Sequence, residues 1–236
     1  KPRMVADVLN GDGTFLGQCF RVGNRLITAW HVVEHYSVVY VHTSSGADRV
    51  VFKQMEDKDM ADAPYSSHLC MPSGKWDTVR EKQYVMVGSA VSGVWQASVG
   101  SLVHNTGEFG TVEYDGTTLP GFSGSPYYMG KSIFGMHICG GAQNLGYSGT
   151  YMRTYFKVNE DTMEWLYDEM MAADRRGEKL EVEIRGDDVR VKIGNDYFLI
   201  DRETYDEVEE SFRHRGEPKD QYIGKDSGRN DEEEHR

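Results

Sequence analysis

The sequence predicts a mostly β chain, in which short antiparallel strands are followed by a helix and a small acidic α+β extension. Three observations lead to this prediction. Short β-prone runs separated by turn residues fill the chain upstream of residue 159, and the first strong helical pattern comes only after it. Acidic residues then accumulate beyond residue 174. A length of 236 residues allows one or two domains with their own hydrophobic cores.

The β-prone runs are bounded by turn chemistry, as at Gly23-Asn24 and Ser44-Ser45-Gly46. In SVVYVHT and VWQASVGSLV, apolar and polar residues alternate, which is typical of strands with one buried face. Many short strands with glycine between them match closed antiparallel barrels. The remaining runs are TFLGQCFRV, RLITA, DRVVFKQM and QYVMVGSA.

The first helix is predicted to start after Asn159, a suitable N-cap, with Leu166 and Met170 at helical spacing. We expect this helix to close an N-terminal domain of residues 1–173. Residues 174–236 carry 20 acidic and 13 basic side chains, a net charge of −7 out of −12 for the whole chain. This shift in composition places a domain boundary near residue 174.

Beyond that boundary, LEVEIR, DVRVKI and DYFLI predict a small β-meander with turns at its two glycines. A second helix is predicted after Asp201, with Tyr205 and Phe212 on one face. We therefore expect a small acidic α+β unit over residues 174–215. Residues 216–236 are too polar to pack and are predicted to be disordered.

Composition excludes several classes of protein. No apolar run approaches the ~18 residues that a membrane-spanning helix needs. The net charge of −12 disfavours nucleic-acid binding as the main activity. Cys19, Cys70 and Cys139 have neither paired nor zinc-finger spacing, so we expect free thiols in a reducing compartment. No phosphate loop or metal motif is present, so no cofactor and no metal are expected.

The sharpest local feature is Pro120-Gly121-Phe122-Ser123-Gly124-Ser125-Pro126, a serine flanked by glycines. In a catalytic interpretation, the flanking glycines free the backbone so that the N–H groups of Gly121 and Ser123 can donate to an oxyanion. The same conformation exposes the Ser123 hydroxyl. A serine nucleophile needs a nearby base, and His31, at the end of the β-prone run LITAW, is the best candidate among eight histidines. Because an imidazole base needs a carboxylate, an acid is expected between them.

On these motifs the chain resembles the chymotrypsin-like serine proteases encoded by positive-strand RNA viruses. The motifs are Thr-Ala-x-His at 28–31, Asp-Met-Ala at 59–61 and Gly-x-Ser-Gly-x-Pro at 121–126, in the His, Asp, Ser order of that superfamily. The chain resembles the proteases of astroviruses and sobemoviruses in particular, because it is compact, lacks disulfide pairs and adds Gly135-Met136-His137-Ile138-Cys139-Gly140 and Gly146-Tyr147-Ser148-Gly149 downstream. The resemblance covers roughly residues 10–158 and implies a double antiparallel β-barrel with the active site between the barrels.

Asp59 is the preferred triad acid, because the small residue of the family's Asp-x-Ala motif lets the aspartate pack behind the histidine. Asp57 and Asp62 in the same acidic patch remain alternatives. The resemblance also implies that His137 and Thr118 bind a Glu or Gln side chain before the scissile bond.

Either Ser148 or Asn144 completes that pocket, and the sequence does not decide between them. The implied function is a viral serine endopeptidase that processes a nonstructural polyprotein in the host cell cytoplasm. The alternatives are a non-catalytic, protease-like interaction module of the replication complex and a cellular chymotrypsin-like protease.

Overall fold

The structure is a computed structural model that describes residues 1–156, 163–178, 180–213 and 223–226. It divides into two compact units, Lys1–Tyr155 and Phe156–Arg236. Among the described residues, no helix has the length and apolar character needed to cross a membrane.

The N-terminal unit begins with a seven-stranded antiparallel sheet that forms a half-barrel. Its strands are β1 (Val5–Leu9), β2 (Phe15–Val22), β3 (Arg25–Thr28), β4 (Val39–Thr43), β5 (Gly46–Val50), β6 (Lys53–Gln54) and β7 (Ala61–Pro64). They lie in the order β5-β4-β1-β2-β3-β7-β6. The predicted turn at Gly23 joins β2 to β3, and its φ of 59° lies in the left-handed region that glycine adopts without strain. Helix α1 (Trp30–Val33) follows β3, and a short 3₁₀ helix (Ser67–Leu69) follows β7.

A second sheet in the same unit closes on itself as a barrel. Its strands are β8 (Lys75–Trp76), β9 (Gln83–Val91), β10 (Val94–His104), β11 (Thr111–Tyr114), β12 (Pro126–Met129), β13 (Ser132–Cys139) and β14 (Asn144–Ser148). The order is β12-β9-β10-β11-β14-β13-β8, and an additional β12–β13 pairing closes six of these strands. Helix α2 (Gly149–Arg153) follows β14.

The apolar interior of this barrel explains the alternation in the sequence. Val85 and Val87 on β9, Leu102 on β10 and Val112 on β11 are fully buried in one cluster. Val99, on the opposite face of β10, is 65% exposed. Burial of one face of each strand stabilises the closed sheet, and the prediction of a mostly β, double-barrel architecture is confirmed.

The second unit contains a four-stranded sheet and two helices. The elements are α3 (Met163–Arg175), β15 (Glu181–Arg185), β16 (Asp188–Ile193), β17 (Asp196–Asp201), α4 (Arg202–Arg213) and β18 (Ile223–Asp226). The meander β15-β16-β17 is antiparallel, as its turn chemistry predicts, and β18 pairs in parallel with β15. Asp201 caps α4, since its carboxylate accepts from the backbone N–H of Thr204 at 2.8 Å and from its hydroxyl at 2.7 Å.

The observed division after Tyr155 differs from the boundary predicted near residue 174. Helix α3, which was expected to close the N-terminal domain, belongs to the second unit. The reason is its apolar face: Leu166, Met170 and Ala173 are fully buried in the same cluster as the meander strands. The predicted N-cap, Asn159, lies outside the described residues.

The segment 216–236 also differs from its predicted disorder at one place. Ile223–Asp226 forms strand β18, which adds backbone hydrogen bonds to the edge of the meander at β15. The other residues of that segment lie outside the described part of the chain.

Candidate active site

His31 lies on helix α1, directly after strand β3. Val32 and Val33 are buried and hold this helix against the half-barrel, while the His31 side chain remains 40% exposed. Strand β3 ends at Thr28, whose hydroxyl donates to the carbonyl of Gln18 on β2 at 2.7 Å. The histidine is therefore held by buried neighbours on a rigid strand-to-helix junction, and its imidazole remains accessible.

Asp59, in the loop between β6 and β7, holds His31 by two hydrogen bonds. Nδ1–H of His31 donates to Oδ2 of Asp59 at 2.7 Å, and the backbone N–H of His31 donates to Oδ1 at 2.8 Å. The side-chain hydrogen bond raises the pKa of His31 above its ordinary value, although partial burial opposes the shift. With the proton held on Nδ1, the other ring nitrogen, Nε2, is left as the basic one.

The two alternative acids have different surroundings. Asp62, on β7, is nearly buried and pairs with the guanidinium of Arg25, whose Nε donates to it at 2.5 Å. Asp57 is exposed in the loop. The structure thus brings Asp59 to the histidine and leaves Asp62 in a structural ion pair.

Ser123 lies in the loop between β11 and β12 and packs against the junction that carries His31. Its carbonyl accepts from the backbone N–H of Gln18 at 3.1 Å. A Cβ placed on Gly17 would lie 2.9 Å from that carbonyl and 3.0 Å from the methyl groups of Val32, the residue after His31. Gly17 therefore permits the close approach of the serine loop to helix α1.

Gly124, with φ +80°, shows the same close packing on the other side of the serine. A Cβ there would overlap the Gln18 carbonyl and the Thr28 hydroxyl and would lie 3.3 Å from the backbone nitrogen of Ala29. Gly124 is thus required both by its backbone conformation and by the lack of space for a side chain.

The hydroxyl of Ser123 donates to the carbonyl of Ile138 on β13 at 3.4 Å. Among the described residues it makes no hydrogen bond to His31. Of the two hydrogen bonds expected within the predicted triad, the structure contains the one between His31 and Asp59. The hydroxyl is thus directed at a main-chain carbonyl of β13 and not at the imidazole.

The backbone of the serine loop leaves two donors without a protein acceptor in the described part of the chain. The N–H groups of Phe122, Gly124 and Ser125 donate to the carbonyls of Leu119, His137 and Phe122. Those of Gly121 and Ser123, the two residues predicted to form an oxyanion hole, have no such partner. The N–H groups of Gly121 and Ser123 are thus left available beside the serine hydroxyl, and the φ of +95° at Gly121 belongs to this loop conformation.

A pocket of about 450 Å³ opens beside Ser123. None of the described residues that line it is Lys, Arg, Asp or Glu. They are Thr117, Thr118, Leu119, Pro120, Gly121, Ser123, His137, Gly140, Gly141 and Asn144. Both residues predicted to recognise the substrate, His137 and Thr118, thus lie in one cavity with the candidate nucleophile.

His137, on β13, is 2% exposed, and its Nδ1 lies 2.7 Å from the hydroxyl of Tyr127. Burial lowers the pKa of His137 to about 4, and the nearby charge of His31 acts in the same direction. The imidazole is therefore neutral at physiological pH.

Asn144 also lines the pocket and is held there by two hydrogen bonds. The hydroxyl of Thr118 donates to Oδ1 of Asn144 at 2.6 Å, and Nδ2 of Asn144 donates to the carbonyl of Gly116 at 2.6 Å. Ser148, the other candidate for completing the pocket, is fully buried beside Thr150 and does not line the cavity. The structure therefore places Asn144, and not Ser148, in the pocket.

Sequence analysis missed Tyr127. It is fully buried, and its ring fits beside Gly135 and Gly146, where added Cβ atoms would lie 3.3 and 2.6 Å from the ring carbons. Tyr127 belongs to a β-prone run that looks like ordinary core, and nothing local connects it to His137, so the sequence contains no signal for this contact.

All three cysteines are free, with Cys19 buried and Cys70 and Cys139 exposed. In the described ranges, no group of three or more His, Cys, Asp or Glu side chains is arranged to hold a metal ion.

Comparison with solved structures identifies the fold. The serine protease domain of the Sesbania mosaic virus polyprotein superposes with a TM-score of 0.57 at 19% identity, covering 67% of this chain and 95% of that one. A human astrovirus serine protease gives 0.52 at 22% identity, covering 63% and 90%. A Mycobacterium tuberculosis protease gives 0.53 at 16% identity, covering 64% and 86%.

No protein-family model and no curated protein matches the sequence. The likeness in structure is nonetheless to viral and bacterial serine proteases of one architecture, which agrees with the resemblance seen in the sequence motifs. The chain has the chymotrypsin-like serine-protease fold.

Proposed function

We propose that this protein is a serine endopeptidase with Ser123 as nucleophile, His31 as general base and Asp59 as the orienting acid. The observation that carries the proposal is the pairing of His31 with Asp59 by two hydrogen bonds, on a junction against which the serine loop is packed. This pairing keeps the proton on Nδ1 and directs a basic Nε2 away from the carboxylate.

In this mechanism the Ser123 hydroxyl attacks the scissile carbonyl while Nε2 of His31 takes its proton. The N–H groups of Gly121 and Ser123 stabilise the oxyanion of the tetrahedral intermediate. His31 then gives the proton to the leaving amine, and an acyl-enzyme remains on Ser123. Water, activated by the same imidazole, hydrolyses the acyl-enzyme and regenerates the hydroxyl.

The proposed substrate is a polypeptide, specifically a viral polyprotein cleaved after Glu or Gln. The viral origin rests on the fold neighbours, one of which is a domain of the Sesbania mosaic virus polyprotein. The side-chain preference rests on the pocket of His137 and Thr118, whose groups hydrogen-bond a carboxylate or a carboxamide. A non-catalytic interaction module would not require the hydrogen-bonded pair of His31 and Asp59 beside the serine loop.

Labelling with a fluorescent fluorophosphonate, combined with cleavage of a peptide library, tests the proposal. The purified chain should be labelled and should cleave peptides. Ser123→Ala should lose the label and about 10⁶ in turnover if the triad acts as a unit. Ser45→Ala, which changes an exposed turn serine, serves as the matched control and should behave like the parent. A folded Ser123→Ala protein with unchanged turnover would exclude Ser123 as the nucleophile.

A further inference from the structure

A hydrogen bond between the two barrels reaches the loop that carries Asp59. The backbone N–H of Asp59, between β6 and β7 of the half-barrel, donates to the hydroxyl of Tyr147 at 3.2 Å. Tyr147 lies on β14 of the closed barrel. The carboxylate of the same aspartate holds His31 by two hydrogen bonds, so its main chain and its side chain are both engaged. The candidate acid is thus connected through Tyr147 to the barrel that also carries Ser123.

Tyr147 is held firmly in its strand. It is 8% exposed, and its backbone pairs with Thr111 on β11 and with Met136 on β13. Its carbonyl lies against Gly135, where an added Cβ would overlap it. Because the strand is paired on both sides and closely packed, the tyrosine has little freedom to move, and its hydroxyl is a fixed acceptor.

The residue before Asp59 makes a second contact of this kind. The ammonium group of Lys58 lies 5.7 Å from the ring centre of Tyr151 on helix α2, within the range of a cation–π interaction. The ring centres of Tyr147 and Tyr151 are 6.0 Å apart. Two consecutive residues of the acid loop therefore contact one pair of neighbouring tyrosines.

The acid loop contains a strained turn, which contacts from outside the loop can offset. Glu56 has φ +50°, in the left-handed region that is unfavourable for a residue with a side chain. Within the loop, the N–H of Met55 donates to the carbonyl of Met60 at 2.9 Å, and Met60 is fully buried. This closes the hairpin but does not involve the N–H of Asp59, which donates to Tyr147.

We propose that Tyr147 is a positioning residue of the peptidase, which fixes the peptide group before Asp59 so that the carboxylate stays directed at His31. A rotation of that peptide group would move both carboxylate oxygens relative to the imidazole. Loss of the Tyr147 hydroxyl would leave the N–H facing a ring without an acceptor, which favours such a rotation towards water. Tyr147 is not among the described residues that line the pocket beside Ser123, so it acts through Asp59. The inference rests on the proposed peptidase function and adds a residue to its catalytic arrangement.

The test compares Tyr147→Phe with the parent chain in cleavage of one peptide. We expect kcat to fall by about tenfold while KM changes by less than about twofold, because no substrate-binding group is altered. The pKa of His31 is raised by Asp59, first through its hydrogen bond, and by Glu34. Since a displaced Asp59 raises it less, the acidic limb of kcat/KM should move to lower pH. His137, the other titratable group near His31, is neutral at physiological pH.

Tyr151→Phe is the matched control. It also removes one buried tyrosine hydroxyl, which shares a hydrogen bond with the hydroxyl of Tyr155 at 3.1 Å, and it retains the ring beside Lys58. It should keep the kcat and the pH profile of the parent. Melting temperatures of both variants are measured alongside, because a purely structural role would lower them without separating the two pH profiles.

Two further variants test the route through Asp59. In Asp59→Asn the carboxylate is already removed, so adding Tyr147→Phe should lower kcat by less than about twofold more. A full additional tenfold loss would overturn the inference, since Tyr147 would then act elsewhere. If Tyr147→Phe does not fold, Lys58→Met removes the cation over Tyr151 and should move the acidic limb in the same direction. An unshifted limb would overturn the inference.

Fluorophosphonate labelling of the parent chain separates this inference from the proposed function. A labelled, active parent whose folded Tyr147→Phe variant keeps the parent's kcat and pH profile overturns the inference alone, as does an equal loss of kcat in Tyr151→Phe. A parent chain that is neither labelled nor active overturns the proposed function, and the inference with it.

Discussion

Replacing Asp59 with asparagine tests the link between the carboxylate and His31 at almost constant side-chain size. Asp59 accepts the Nδ1–H and the backbone N–H of His31 at 2.7 and 2.8 Å. Asparagine can still accept the backbone hydrogen bond through its carbonyl, but its amide then faces Nδ1 as a donor. The imidazole proton is displaced to Nε2, where it prevents His31 from accepting the Ser123 proton.

The loss follows from this change of tautomer. We expect kcat to fall by about 10³ to 10⁴, equivalent to about 4 to 5.5 kcal/mol of transition-state stabilisation at 1.36 kcal/mol per tenfold change. Because the pair is partly exposed, its contribution to folding is screened by solvent, and we expect little change in melting temperature.

The pH dependence gives an independent readout. The hydrogen bond to Asp59 raises the pKa of His31, and the acidic limb of kcat/KM reports the pKa of the free enzyme's base. Removing the carboxylate lowers that pKa, so the acidic limb of the Asp59→Asn profile should move to lower pH.

Asp62→Asn is the matched control, because it makes the same chemical change three residues away. It breaks the ion pair with Arg25, so it should lower the melting temperature while kcat stays within a few-fold of the parent. The measurement is kcat for peptide hydrolysis by both variants, with the concentration of active enzyme determined by fluorophosphonate titration. Near-normal kcat for Asp59→Asn, or the large loss in Asp62→Asn instead, would refute the assignment of the acid.

Three further predictions concern the domain division, the serine loop and the pocket. A fragment ending at Tyr155 should fold and cleave peptides, because the division places both barrels before that residue; an insoluble or inactive fragment in circular dichroism and peptidase assays would contradict this. Gly124→Ala should destabilise the fold by about 1 to 3 kcal/mol in thermal melting, since φ +80° and overlap with Gln18 both oppose a side chain; an unchanged melting temperature would argue against the described loop. Folding lowers the pKa of His137 from its ordinary 6.5 to about 4. Between these two values the unfolded chain binds a proton on His137 that the folded chain does not, so the free energy of unfolding decreases as pH falls from about 6.5 to about 4. His137→Gln should remove about 3 kcal/mol of that loss in denaturation curves at pH 7 and pH 4, and parallel losses in both proteins would show that His137 is not responsible.

Local patterns in the chain were sufficient to predict the mostly β architecture and to select Ser123 and His31 as candidate site residues. Turn residues, alternating strands and positive-φ glycines act over a few neighbouring residues, so a linear pattern records them. The glycines around Ser123 are an example, since their spacing alone predicted a backbone that places N–H groups beside the hydroxyl.

Other features depended on contacts between distant parts of the chain. Asp59 and Asp62 look alike in sequence, and the pairing of β3 with β7, which places Asp62 beside Arg25, distinguishes them. The apolar face of helix α3 does not indicate in sequence which unit it packs on, and the structure shows that it packs on the meander strands. Two hydrogen bonds of the pocket, between Tyr127 and His137 and between Thr118 and Asn144, also join residues on different elements. Hydrogen-bond direction depends on which partner folding brings within 3 Å, and that is a property of the assembled barrels rather than of any local run of residues.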